Sequence, residues 1–210
     1  MASNWSTFRS NLKAKLGVPN QMSISELADI HATEYVNAVK NAAIVLTSSK
    51  ATIGISKGTV KSAYEAAFTK LQKEKVEITP DYKGNNPNPN IDSSRKKLED
   101  IFAPVAAAIC SEWSKEIFTP ATVPPGYVSP TVGYVVAVPG DPSALKKDLA
   151  KAFFIAQSET NQTTAFNVFV TALILAYTEH LLKIAGTFTG LIPAAPSPVP
   201  GPPFPFIAVA

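Results

Sequence analysis

The sequence predicts a mainly α-helical protein, a bundle of about six helices with extended Pro-rich segments and room for one short β-hairpin. Three observations predict it. Apolar residues recur at helical spacing in several windows. The most apolar run of all, residues 165–184 (AFNVFVTALILAYTEHLLKI), has the length of a long core helix. The 18 prolines gather largely in residues 119–140 and beyond Gly186, where helix cannot continue.

Taken in order, residues 3–16 form a first helix. Ser3 or Asn4 caps it, Trp5, Phe8, Leu12 and Leu16 lie on one stripe, and Gly17 and Pro19 stop it. Ser23 and Glu26 make a capping box for a second helix over 24–46, with Ala28, Ala32, Tyr35, Val39, Ala43 and Leu46 inward. A loop with Gly54 and Gly58 follows, in which Ile53 and Ile55 alternate as in a short extended piece. Val60, Tyr64, Ala67, Phe68 and Leu71 then define a third helix ending near Lys75.

Residues 77–93 are rich in Asn, Pro and Gly and read as an exposed loop. Asp92, Ser93 or Ser94 caps a fourth helix to about Phe118, which Pro104 should kink or divide. In 119–140, Tyr127, Val128 and residues 133–138 are extended, and Pro130 and Pro139 confine any strand to an edge or a short segment. Asp141 and Pro142 restart a helix as cap and first residue, with Leu145, Leu149, Phe153 and Ala156 inward. A short connection at Asn161 leads into the central helix, which Thr163 or Thr164 caps and Gly186 ends. Four parts follow: a helical part to residue 76, the loop 77–93, a second helical part over 94–186, and an extended arm over 187–210, together one compact unit.

The central run is apolar nearly all round, so other helices or a partner subunit must cover it. Thr178, Glu179 and His180 break it too early for a membrane span, which wants about 18 or more apolar residues. Hydrophobic residues are 46% of the chain, enough for a core, and charged residues only 17%, as in a surface that subunits cover. The net charge of +3 and a longest basic run of Arg95, Lys96 and Lys97 argue against a nucleic-acid partner. The single cysteine, Cys110, excludes an intrachain disulfide, and its Ala-rich setting suits a small buried hydrophobe. The N-terminus has no apolar core of a secretory signal.

No catalytic, cofactor or metal motif stands out. Gly54 to Thr59 lacks the residue order of a phosphate loop. The one alternative constellation is an α-helical enzyme or metal-binding bundle using His31, Glu34, Glu179 and His180, though the Glu-x-x-His order of such sites is absent. The arm carries seven of the prolines yet is apolar, so it should be ordered by packing on the body or on a neighbour through Phe188, Leu191, Ile192, Phe204, Phe206 and Ile207.

The Trp-x-x-Phe helix, the Ser-x-x-Glu start of an Ala-rich helix, the VAVPGDP stretch and HLLKIAGTFTGLIP before a Pro-rich end resemble, in texture, small virion structural proteins of tailed bacteriophages. These are neck, tail or baseplate, and capsid-decorating subunits. The resemblance implies assembly into a symmetric particle. With the readings above, the expectation is a non-enzymatic virion protein, assembled in a host cytoplasm through its helical body and extended arms, whose partners are copies of itself and other virion proteins, with no cofactor, nucleic acid or membrane. It assigns no functional residues.

Overall fold

The computed structural model describes residues 3–16, 22–44, 53–74, 89–118, 123–157, 159–207 and 209, without the side chains of 89–93, 130–132, 157 and 207. Six helices and a five-stranded antiparallel sheet fill these residues. The fold is mainly α with some β, and the sheet is larger than a hairpin.

Helix α1 (Trp5–Leu16) starts where Asn4 accepts the Thr7 N–H at 3.1 Å, and it buries Phe8 and Leu12. Helix α2 (Ile24–Val39) opens on the expected capping box of Ser23 and Glu26. It stops short of 46, because the chain turns at Lys40 and Ile44 forms a β-bridge with Val209. Leu46 lies outside the described residues. Helix α3 (Lys57–Lys73) is capped by Ser56, whose hydroxyl accepts the Thr59 N–H.

Helix α4 (Pro89–Trp113) departs most from expectation. It begins inside the Asn/Pro cluster, since Pro suits the first helical turn, where its missing N–H has no partner to lose. Asp92, Ser93 and Ser94 are therefore internal rather than caps. Pro104 leaves the helix continuous, with its ring on the exposed side. The helix ends at Trp113, and after a turn residues 117–118 become strand β1 (Ile117–Phe118).

Strand β2 (Ser129–Pro139) pairs antiparallel with β1 at Tyr134 and Val135. Helix α5 (Pro142–Gln157) starts as expected, with Asp141 accepting the Ser143 and Ala144 N–H groups. Helix α6 (Gln162–Leu181) is capped by Asn161, which accepts the Thr164 N–H, rather than by a threonine. It ends at Leu181, five residues before Gly186. The chain then enters β3 (Ile184–Ile192), followed by β4 (Val199–Pro200) and β5 (Phe204–Ile207).

In the sheet, β2 pairs β3 along almost its whole length, and β5 and β4 share the other side of β3. Strand β2 is thus internal where β1 covers it, and Pro130 and Pro139 sit near or at its ends, beyond the β1 pairs. Gly186, in mid-strand, leaves room for the Phe206 ring; a Cβ there would collide with that ring and with the Val135 carbonyl.

Helix α5 packs against α4 and α6, α2 against α1 and α3, and α1 touches α6. An aromatic seam ties the helices together. Phe102 stacks on Phe153 at 4.3 Å, Phe153 meets Phe169 at 4.7 Å, and Tyr35 meets Tyr177 at 4.7 Å. The hydroxyls inside it are paired, Tyr64 with Tyr177 and Tyr35 with the Trp113 indole N–H, which removes the cost of burying them. One cluster of buried residues runs from Phe8 through the helices to Phe206 and Val209. Helix α6 has the length and mean hydropathy, 1.2, of a membrane span. Its Phe169, Val170, Leu173, Ala176, Tyr177 and Leu181 are nonetheless part of that cluster.

The C-terminal arm is therefore part of the chain's own core. Replacing Phe206 with alanine should lower the unfolding free energy by about 3–5 kcal/mol, read as a fall in the urea midpoint. An unchanged midpoint would mean that the arm is not packed on its own body.

Candidate functional site

Charge is distributed between the layers in an all-or-none way. Neither residues 117–140 nor residues 184–210 contain a single Asp, Glu, Lys or Arg, although such residues make up 17% of the chain. These two runs hold all five strands. Charge stops at Glu116, resumes at Asp141 and ends at Lys183, three residues that stand where the chain passes between helices and sheet. The signal is present in the sequence, in the positions of the charges and not in their total.

Alternation along the strands sorts the sheet into two faces. Phe118, Tyr134, Phe188 and Phe206 are buried on the inner face. Their rings interlock, with Tyr134 5.0 Å from Phe188 and Phe118 6.0 Å from Phe206, and Phe118 stacks on Trp113 of α4. On the outer face the pairing register lines up Ile117, Val135, Thr187 and Pro205 in one cross-strand row. A bulge between Val136 and Val138 brings Val138 into the next row, beside Ala185. Ile117 is 46% exposed and Val138 49%. Of the seven large apolar side chains exposed among the described residues, Val128, Val199 and Phe204 also belong to the sheet region; the others are Leu175 and Leu182 on or beside α6.

The six arm residues expected at an interface fall into different places. Phe188 and Phe206 are buried in the chain's own core. Leu191 and Ile192 are half-buried at the end of β3, and Phe204 is exposed. Ile207 is in β5, with its side chain outside the described residues.

The alternative constellation does not form. His31 is buried among Tyr64, Phe68, Phe153 and Phe169. Glu34 is buried and holds Asn11 and Lys15 of α1 at 2.7 and 2.6 Å. Glu179 is exposed, whereas His180 lies under Gly140. No group of three or more His, Cys, Asp or Glu able to hold a metal exists among the described residues. Both histidines and Glu34 are thus buried. Burial pushes the Cys110 thiol up to about 11, with Asp141 adding to the effect, so the group stays protonated at neutral pH.

Two further acids, Glu112 and Glu116, are buried where α4 meets β1. Glu116 accepts the Gly54 N–H at 2.9 Å, and Glu112 accepts the Ser56 N–H at 2.7 Å. They pin the extended piece around Ile53 and Ile55 to the body and add a negative charge beside the start of α3, where the helix dipole favours it. Burial raises the Glu116 carboxyl, with the Glu112 charge adding to it against the Gly54 bond. Burial also opposes ionisation of Glu112, but hydrogen bonds from Lys115 and Ser56 together outweigh it and hold that carboxyl below its usual range. A groove of about 500 Å³ bordered by α4 and α5 has cations, Arg95, Lys147 and Lys151, interleaved with Glu99 and Asp148.

Burial lowers both His31 and His180 to about 4, with Lys183 adding to the effect at His180 and Asp141 opposing it. Neither ring nitrogen of His180 has a hydrogen-bond partner among the described residues. The folded state keeps both rings neutral while the unfolded chain protonates them near 6.5. Stability should therefore be full above pH 6.5 and fall as pH drops towards 4, by about 3 kcal/mol per histidine. Urea titrations across this range measure it, and His31→Phe should remove roughly half of the loss. A flat profile would contradict the burial of both rings.

No family model, curated protein or solved structure matches this chain. The reading of its function rests on the geometry above, and above all on the charge-free sheet.

Proposed function

We propose that the protein is a non-enzymatic structural subunit of a bacteriophage virion, a neck, tail, baseplate or capsid-associated component that assembles with copies of itself and with other virion proteins. The observation that carries the reading is the sheet layer, which has an apolar outer face and no charge. A lone soluble molecule ordinarily breaks up such a surface with charges, because contiguous apolar patches and bare strand edges invite association. Here every charged residue lies outside the strands.

Two other observations support a structural role. The perturbed acids Glu112 and Glu116 are tied to backbone N–H groups, and Glu34 to Asn11 and Lys15, so each has a positioning task. The virion assignment draws on the resemblance in texture to tailed-phage structural proteins. A helical body with a sheet laid on it gives such a subunit a rigid side and a sticky side.

Light scattering on the purified protein should give a mass that rises from one chain to two or more as concentration increases. Mass spectrometry of tailed particles released by cells that make the chain should find it in many copies per particle. A mass of one chain at every concentration overturns the assembly reading. Recovery of the chain only outside the particles overturns the virion reading.

A further inference from the structure

We infer that the outer face of the sheet is the docking surface for the same face of a second copy, stacked face to face rather than joined edge to edge. This rests on the assembly reading and specifies which surface and which partner.

The edges are the first consideration. A strand edge accepts another chain only through a row of free N–H and C=O groups, and proline removes the donor. On one rim, β5 contains Pro205 and is preceded by Pro202 and Pro203, and β4 ends at Pro200. On the other rim, β2 has Pro130 and Pro139 near or at its ends, and β1 covers its middle. The sheet therefore cannot extend as a continuous ladder on either side. Its outer face has no such block.

The partner follows from the charges. Two copies related by a twofold axis present the same patch to each other, so residues at the axis meet themselves and a patch with charge of one sign repels its own copy. A face with no charge at all is free of that repulsion. It also offers nothing by which a foreign partner of opposite charge would be selected or steered. Ile117, Val135, Val138, Ala185, Thr187 and Pro205 supply β-branched and small side chains of the kind that interdigitate when two sheets stack.

The area sets the strength. Strands β2 and β3 run side by side for about 30 Å, and β1 and β5 flank them at about 4.8 Å spacing over part of that length, giving roughly 500 Å² per copy. A pair would bury about 1,000 Å², the lower limit for a specific contact. The pair alone is thus weak, as suits a subunit held in place by several neighbours.

The test compares wild type with Ile117→Lys and Val138→Lys on the face, Val199→Lys on the rim and Leu175→Lys on α6, by light scattering over a concentration series. All four side chains are exposed, so the fold should survive, and thermal unfolding checks it. The face variants should dissociate with a constant raised about a hundredfold, because each brings like charges together. The rim and helix variants should assemble as wild type does. A Thr187→Cys chain should cross-link to a second copy on oxidation and a Leu175→Cys chain should not; Cys110 is buried and should not interfere.

Wild type that assembles while the face variants assemble equally well overturns this inference and leaves the assembly reading standing. So does dissociation caused by Leu175→Lys or Val199→Lys alone, or cross-linking through Leu175→Cys but not Thr187→Cys. A wild type that stays monomeric at every concentration overturns both this inference and the reading of self-assembly.

Discussion

The joint between helices and sheet depends on one close contact, Gly140 against the imidazole of His180. Gly140 has a φ of 88°, and a Cβ there would overlap the His180 ring. The contact matters because two of the three crossings between the layers are here. Strand β2 ends at Pro139 and α5 begins at Pro142, whereas α6 ends at Leu181 and β3 begins at Ile184. Pro139 and Ile184 are paired partners in the ladder, so the two crossings lie side by side. The chain's end closes the joint: Val209 donates its N–H to the Leu181 carbonyl at 3.1 Å and bridges to Ile44 after α2. Three distant parts of the chain thus meet at one place. Among the described residues, neither ring nitrogen of His180 has a hydrogen-bond partner at this joint. The cost of that burial, about 1–3 kcal/mol for an unsatisfied group, is offset by the packing it allows.

The division of charge follows the same boundary. Glu116, Asp141 and Lys183 are the last or first charged residues at the crossings, and each marks the side of the helices. A sheet with one face buried ordinarily alternates apolar and polar residues. In this sheet the outward positions are Val, Ile, Thr, Ala and Pro, which keep the strand geometry but give up charge. Proline on the rims does by backbone chemistry what lysine does elsewhere by charge. An edge blocked in this way stays blocked at any salt concentration.

Helix boundaries set by local chemistry were legible in the sequence. The capping box of Ser23 and Glu26, the Asp141–Pro142 start and the stripe of Phe8 and Leu12 each depend on residues within a turn or two of one another. What was not legible depends on distant pairing. Strand β3 reads as the tail of a helix followed by a Pro-rich arm because its partners are β2, two helices earlier, and β5, a loop later; no local period reports either. Gly186 reads as a helix stop, but its small size serves the Phe206 ring across the sheet. The start of α4 at Pro89 was hidden by a composition that favours loops, although proline at a first turn is compatible with helix. The outer face of the sheet was half legible, since the absence of charge over two runs is plain once charge is mapped by position, but only the register shows Ile117, Val135, Thr187 and Pro205 standing in one row.

The two layers also differ in how firmly their surfaces are defined. Ion pairs on the helical side, such as Lys57 and Lys61 with Asp29, are solvent-exposed and contribute little to stability. Their effect is to keep that side wetted and apart from neighbours. The sheet side lacks this repulsion, so any weak apolar attraction there goes unopposed. The protein thus has two unlike sides, with charged side chains on the helices and none on the strands. On the assembly reading proposed above, direction needs no strong interface, only a difference between faces, and the two charge-free runs, 51 residues together, provide that difference.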